Sequence, residues 1–157
     1  MTITQHIAQQ VRQLYFGGNW TEVSLREVLA GVGWQEALAT GASPNSIAAL
    51  TYHIHYYVAI QRRLLEAGTL DGRDSDAFRH PPIAGEADWQ ALLARCWSDA
   101  EALAALVEGL PDSRLDETFV HEKHGSWYRN LLGMIEHSYY HLGQIVLLKK
   151  AVAGTQS

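Results

Sequence analysis

The sequence has little cysteine, little proline and no excess of positive charge, and each shortage excludes a class of protein. Its single cysteine, Cys96, has no partner for an intramolecular disulfide, which favours a reducing compartment and a role as a small buried hydrophobe. With 12 basic and 17 acidic residues the formal charge is −5, so no attraction to nucleic acid or to an anionic membrane surface is expected. Four prolines and thirteen glycines in 157 residues disfavour a turn-rich β-sandwich.

Long hydrophobic runs are also missing. No apolar stretch approaches the roughly 18 residues that a membrane-spanning helix needs. The first ten residues lack the basic and apolar regions of a signal peptide, so we expect a cytoplasmic protein. Apolar residues make up 47% of the chain, enough to bury one core, and the length fits a single domain over residues 1–157.

Helical periodicity predicts an all-α domain. Apolar residues recur at helical spacing over residues 4–16, 44–67, 89–108 and 126–153, with a shorter helix near 25–32. Ser43 and Asp88 are predicted to cap the second and third long helices. In the stretch 19–40, the two tryptophans Trp20 and Trp34 are expected to pack against the domain. Because a connection as long as residues 69–84 usually crosses over a bundle or shapes a site, we predict a four-helix bundle with a long crossover connection.

Eight histidines are unusual in so short a chain and point to metal binding. His137 and His141 are four residues apart on a predicted helix, so both imidazoles lie on one face and can reach one metal ion. On the second helix, His53 flanks the apolar face, while His55 is predicted to point outward. Ligation by His53, His137 and His141 would leave coordination positions open for water or substrate, as in a catalytic zinc site.

The other histidines are weaker candidates. A histidine on a helix flank is more often a hydrogen-bonded surface group than a ligand, and we interpret His6, His55 and His80 in this way. His121 and His124 are three residues apart and miss the metalloprotease spacing His-Glu-x-x-His by one residue. The sequence also lacks the Glu-x-x-His motifs of di-iron bundles, phosphate-binding loops and the nucleophile elbow of hydrolases.

Two helical segments carry a resemblance to a known superfamily. Residues 45–57 (NSIAALTYHIHYY) and 133–145 (GMIEHSYYHLGQI) resemble the second helix and the closing His-x-x-x-His helix of the DinB-like (DinB/YfiT) superfamily. The likeness covers the chain from about residue 43 to residue 150. Shorter stretches that also resemble the superfamily are Pro81-Pro82-Ile83, Asp88-Trp89 and residues 125–130 (GSWYRN).

The resemblance implies a fold, a metal and a class of reaction. The fold is a four-helix bundle with an unusual crossover, commonly a homodimer. The metal is a divalent ion, often nickel or zinc, bound by three histidines that correspond here to His53, His137 and His141. Members with assigned activity include mycothiol-dependent maleylpyruvate isomerase and bacillithiol S-transferases, which implies a low-molecular-weight thiol as cofactor. His55 adds a second imidazole beside His53, so swapped ligation stays open.

We therefore expect a metal-dependent enzyme that performs thiol-dependent transfer or isomerisation on a small electrophilic substrate. Glu136, next to His137, could orient a ligand as a hydrogen-bond acceptor. One alternative is a metal-binding or dimerising stress-response protein without turnover. Another is a metal-free bundle that presents its surface to a partner, with the histidines as incidental polar groups.

Overall fold

Six α-helices are present in the computed structural model, which describes residues 1–40 and 43–154. Within these residues there is no strand, although Thr118 and Ser126 form an isolated bridge, and the all-α prediction is confirmed. None of the described helices has the length and apolarity needed to cross a bilayer. The helices are α1 (Ile3–Phe16), α2 (Leu25–Leu29), α3 (Trp34–Leu38), α4 (Ile47–Ala67), α5 (Glu86–Glu108) and α6 (Trp127–Gly154).

The predicted caps of the second and third long helices are both wrong. Ser46, not Ser43, is the N-cap of α4, since its hydroxyl accepts a hydrogen bond from the Ala49 amide at 3.1 Å. Asp88 lies inside the first turn of α5, where its carboxylate accepts a hydrogen bond from the Ala84 amide at 2.8 Å. An acidic residue there also interacts favourably with the positive end of the helix dipole.

The four long helices form the core. Each of α1 and α4 packs against both α5 and α6. Cys96 on α5 is buried, as predicted, and burial raises the pKa of its thiol. The largest fully buried side chains come from all four helices and include Tyr15, Leu14, Leu50, Ile54, Trp89, Leu103, Leu131 and Ile145. Each buried aliphatic side chain of this size contributes about 1.5–3 kcal/mol relative to an exposed one.

Hydrogen bonds attach the segment between α1 and α4 to the long helices. The indole Nε1 of Trp89 on α5 donates to the Val32 carbonyl at 2.7 Å. Lys149 on α6 donates from Nζ to the carbonyls of Val28 and Ala30, at 2.6 and 3.2 Å, where α2 ends. The two bonds from Lys149 satisfy carbonyls that the short helix α2 leaves without an internal partner at its C-terminal end.

The two tryptophans of this segment differ in burial. Trp34 is half-buried against the core, but Trp20 is 98% exposed, so the prediction that Trp20 packs against the domain is wrong. The turn at Trp20 is held by its neighbour instead. The side-chain amide of Asn19 donates to the carbonyls of Gln13 and Val23 at 2.9 and 2.8 Å, so the turn closes without burying an aromatic ring.

The connection between α4 and α5 lies against α4. The Tyr56 hydroxyl donates to the Arg73 carbonyl at 2.9 Å and accepts from the Arg73 amide at 2.8 Å. One residue further along, the Tyr57 hydroxyl donates to an Asp74 carboxylate oxygen at 3.2 Å. These contacts fix the short 3-10 turn Asp74–Asp76 and place the residues after it beside His53.

Candidate metal centre

Three histidines from two helices form one cluster that could hold a metal ion. His53 lies on α4, and His137 and His141 lie one turn apart on α6. The Nε2 atom of His137 is 3.0 Å from the Nε2 atom of His53 and 3.0 Å from that of His141. The structure thus brings together the three imidazoles that the sequence singled out.

The outer ring nitrogens of two of these histidines have acceptors behind them. The Nδ1 atom of His53 is 3.3 Å from the Ala77 carbonyl, and the Nδ1 atom of His141 is 2.7 Å from the side-chain oxygen of Gln144. Since both partners are acceptors, the ring protons belong on Nδ1. Both Nε2 atoms then carry a lone pair directed into the cluster, the tautomer that a metal ligand needs.

This tautomer creates a conflict at His137. Its Nε2 atom faces two lone pairs at 3.0 Å but can carry only one proton, so with neutral rings only one contact can be a hydrogen bond. A cation that accepts all three lone pairs removes the conflict. The donor set of the cluster therefore fits a metal ion.

Burial favours the neutral form of two of the imidazoles, those of His53 and His137. His53 and His141 are 5% and 8% exposed, and His137 is half-buried. Burial lowers the pKa of His53 to about 4, and repulsion from His141 and His137 contributes in the same direction. Burial and His141 also lower the pKa of His137. At neutral pH these rings are uncharged, which is the form that binds metals.

Aromatic rings enclose the cluster. Phe78, in the connection between α4 and α5, stacks on His53 with ring centroids 3.7 Å apart. Tyr57 meets His53 and His137 edge-on, with centroids 5.3 and 5.0 Å away. These apolar surfaces shield two of the three imidazoles from water, which is consistent with their lowered pKa values.

A cavity of about 410 Å³ reaches the cluster at His137. Gln61 lies in its wall, and its side-chain amide donates to the Asn130 carbonyl at 3.1 Å. The Gln61 side-chain oxygen is buried and has no hydrogen-bond partner among the described residues. Arg129 is exposed, and its guanidinium forms no ion pair within the described chain. The cavity is lined by Tyr57, Gln61, Arg129, Asn130, Gly133, Met134, Glu136 and His137.

His55 lies outside the cluster, and the prediction that it points outward is wrong. Its side chain is buried on the α5 side of α4, where Nε2 is 3.4 Å from a carboxylate oxygen of Asp99. Arg62 approaches the other oxygen of Asp99, also at 3.4 Å. Two residues along a helix rotate a side chain by about 200°, so His53 and His55 belong to opposite faces of α4.

The remaining candidates from the sequence stay apart from the cluster. His6 and His121 are exposed, and His80 contacts the carbonyl of its neighbour Pro81 through Nδ1 at 2.7 Å. The rings of His121 and His124 are 6.0 Å apart in the connection before α6. Glu136 is exposed and lines the cavity beside His137.

Three contributors to the site were not found by sequence reasoning. Gln144 lies three residues after His141, a spacing that places both on one helix face and could have identified it. Gln61 carried no such signal, and neither did Phe78, because its contact with His53 depends on how the connection folds back on α4.

No family model, curated protein or solved structure matches this chain.

Proposed function

We propose that this protein is a metal-dependent enzyme in which His53, His137 and His141 bind one divalent cation, zinc or nickel. The observation that carries the proposal is the contact of three Nε2 atoms that cannot all be joined by hydrogen bonds. The cluster contains neither a carboxylate nor a thiolate. Imidazole ligands suit zinc and nickel, whereas calcium and magnesium prefer oxygen.

The cavity beside His137 is proposed to bind a small-molecule substrate. A divalent cation with three neutral protein ligands keeps open coordination positions, and it would act as a Lewis acid or lower the pKa of a bound water or thiol. Arg129 would bind an anionic group of the substrate, because its guanidinium has no carboxylate partner in the described chain. The buried oxygen of Gln61 would accept a hydrogen bond from the substrate and so orient it.

The fold and the reaction are proposed in more detail from the resemblance. The packing of α1 and α4 against both α5 and α6 supports a four-helix bundle of the DinB-like type. Residues 45–57 and 133–145 support thiol-dependent transfer or isomerisation on a small electrophile as the reaction class. We also propose a homodimer, on the resemblance alone.

Metal content tests the proposal directly. Protein purified without an affinity tag and loaded with zinc or nickel should retain one ion per chain after dialysis, measured by elemental analysis. The double variant His137→Ala, His141→Ala should retain none. Its matched control is His6→Ala, His121→Ala, which removes two exposed histidines outside the cluster and should retain the full amount. Full retention in the first double variant would refute the site.

A second measurement separates an enzyme from a metal-binding protein without turnover. The metal-loaded and chelator-treated proteins are compared for consumption of small electrophiles in the presence of low-molecular-weight thiols. Turnover that depends on the metal and falls in Arg129→Gln supports the proposed enzyme. One bound ion per chain with no turnover across the panel supports the non-catalytic alternative.

A further inference from the structure

We propose that a second cavity, between α4, α5 and the connection joining them, binds a small carboxylate with an aromatic body. This cavity has a volume of about 370 Å³ and shares no lining residue with the cavity beside His137. The proposal therefore does not depend on metal binding. The aromatic and titratable side chains that line it are Tyr52, His55, Tyr56, Arg63, Asp88 and Arg95.

The walls of this second cavity suit a flat apolar group. The rings of Tyr52 and Tyr56 are 6.0 Å apart and inclined by 48°, which forms an aromatic wall on the α4 side. The two hydrogen bonds between the Tyr56 hydroxyl and the backbone of Arg73 fix one of these rings in place. Apolar side chains of the connection and of α5, among them Ile83 and Leu92, complete the lining. The volume lies within the range of small-molecule sites.

The charged groups of this second cavity favour an anion. Arg63 is already paired, because its Nε donates to Asp71 at 3.0 Å. Asp88 is also engaged, by the amide of Ala84. Arg95 is exposed at the cavity, and its guanidinium makes neither a hydrogen bond nor an ion pair with any residue of the described ranges. A guanidinium binds a carboxylate through two parallel hydrogen bonds, so Arg95 is the anchor of the proposed ligand.

His55 provides an independent sign of a site built for a ligand. It lines this cavity with a side chain only 4% exposed, and its Nε2 faces Asp99. Its Nδ1 atom is buried and has no hydrogen-bond partner among residues 1–40 and 43–154. Buried ring nitrogens are normally paired, because an unpaired one costs stability. A polar atom of the bound ligand would supply this missing partner.

The test is isothermal titration calorimetry of the full chain with benzoate and phenylacetate, and with the neutral amides benzamide and phenylacetamide. We expect the carboxylates to bind with a dissociation constant of about 1 mM or lower and the amides at least about tenfold more weakly. Chelator-treated and zinc-loaded protein should give the same result, because the cavity lies apart from the three-histidine cluster. Absence of carboxylate binding, or equal binding of the amides, would overturn the proposal.

Three arginine variants locate the bound carboxylate. Arg95→Gln should weaken binding by about tenfold or more, the effect of losing a charge-assisted pair. Arg26→Gln, at an exposed arginine on α2 away from both cavities, should leave it unchanged. Loss of binding in Arg129→Gln with retention in Arg95→Gln would place the ligand beside His137 and overturn the proposal.

A variant that fills the second cavity also tests whether the carboxylate binds there, and it removes no charged group. Ala91 lines the cavity from an exposed position on α5, so Ala91→Trp should block the carboxylates while far-ultraviolet circular dichroism confirms the helical fold. Wild-type affinity in Ala91→Trp would also overturn the proposal.

Discussion

Phe78 lies flat against the imidazole of His53, with ring centroids 3.7 Å apart and planes inclined by only 10°. The preceding residue, Ala77, faces the Nδ1 atom of the same ring with its carbonyl. Two adjacent residues of the connection between α4 and α5 therefore set both the tilt and the tautomer of His53. Groups behind a metal-binding imidazole orient it and tune its basicity, so this connection is part of the site.

Truncation of the stacked ring should weaken metal binding. In Phe78→Ala, His53 loses one stacked face and becomes free to rotate, so we expect zinc affinity to fall by about tenfold while one ion per chain still binds. Competition with a chromogenic chelator measures the affinity. The matched control is Leu70→Ala, at an apolar side chain of the same connection that is 39% exposed, against 40% for Phe78. Equal effects of the two variants would show that the stacking has no role.

Gln144 should support the cluster through His141. Its side-chain oxygen accepts the Nδ1 proton of His141 at 2.7 Å, which keeps the lone pair on the Nε2 atom that faces His137. Gln144→Ala should lower zinc affinity by about tenfold to a hundredfold, and Gln144→Glu should restore it because a carboxylate is the stronger acceptor. Gln10→Ala, at an exposed glutamine of α1, is the control and should bind as the wild type does. Failure of Gln144→Glu to restore affinity would argue against the hydrogen bond.

The C-terminal ends of two long helices were predictable from the sequence, because a glycine marks each of them. Gly17 and Gly68 follow the last apolar residues of α1 and α4, and these helices end there as expected. The start of α4 was not decided in this way, because Ser43 and Ser46 are both good caps. The amide of Ala49 bonds to Ser46, and the sequence contains no signal for that choice.

The position of His55 shows that a helical pattern does not predict how many faces of a helix are buried. The helical pattern predicted one buried face on α4 with His53 at its flank, and there His53 contacts His137 on α6. However, α4 is covered by α5 as well as by α6, so the opposite flank is also buried. The number of neighbours that a helix has is a tertiary property. The three histidines of the cluster were predictable because they lie on faces that two packed helices share, whereas membership of the DinB-like superfamily and dimerisation stay predictions.

Removal of His55 should affect stability and leave metal binding intact. In His55→Leu, the buried carboxylate of Asp99 loses a neighbour at 3.4 Å, and Arg62 alone remains to compensate it. We expect the free energy of unfolding in urea to fall by about 1–3 kcal/mol while one zinc ion per chain is retained. His53→Ala should show the opposite profile, with loss of the ion. Loss of metal in His55→Leu at unchanged stability would instead support ligation by His55.

The lowered pKa of His53 predicts how stability depends on pH in the metal-free protein. In the unfolded chain a histidine titrates near pH 6.5, whereas burial lowers the pKa of His53 in the folded state to about 4. Below pH 6.5 the unfolded state binds more protons than the folded state. The contribution of the neutral His53 to the free energy of unfolding is therefore fully present above pH 6.5, and it is lost as the pH falls toward 4.

Urea unfolding of the chelator-treated protein at several pH values between 7.5 and 4 measures this dependence. His53→Gln should show a weaker loss over the same range than the wild type, because the buried imidazole that resists protonation is gone. His6→Gln, at an exposed histidine, should follow the wild type.

Metal retention should depend on pH for the same reason, because protons compete with the cation for the ring nitrogens. The zinc-loaded protein should therefore hold its ion at pH 6 and release it as the pH falls toward 4, and release centred near pH 6.5 would contradict the lowered pKa of His53.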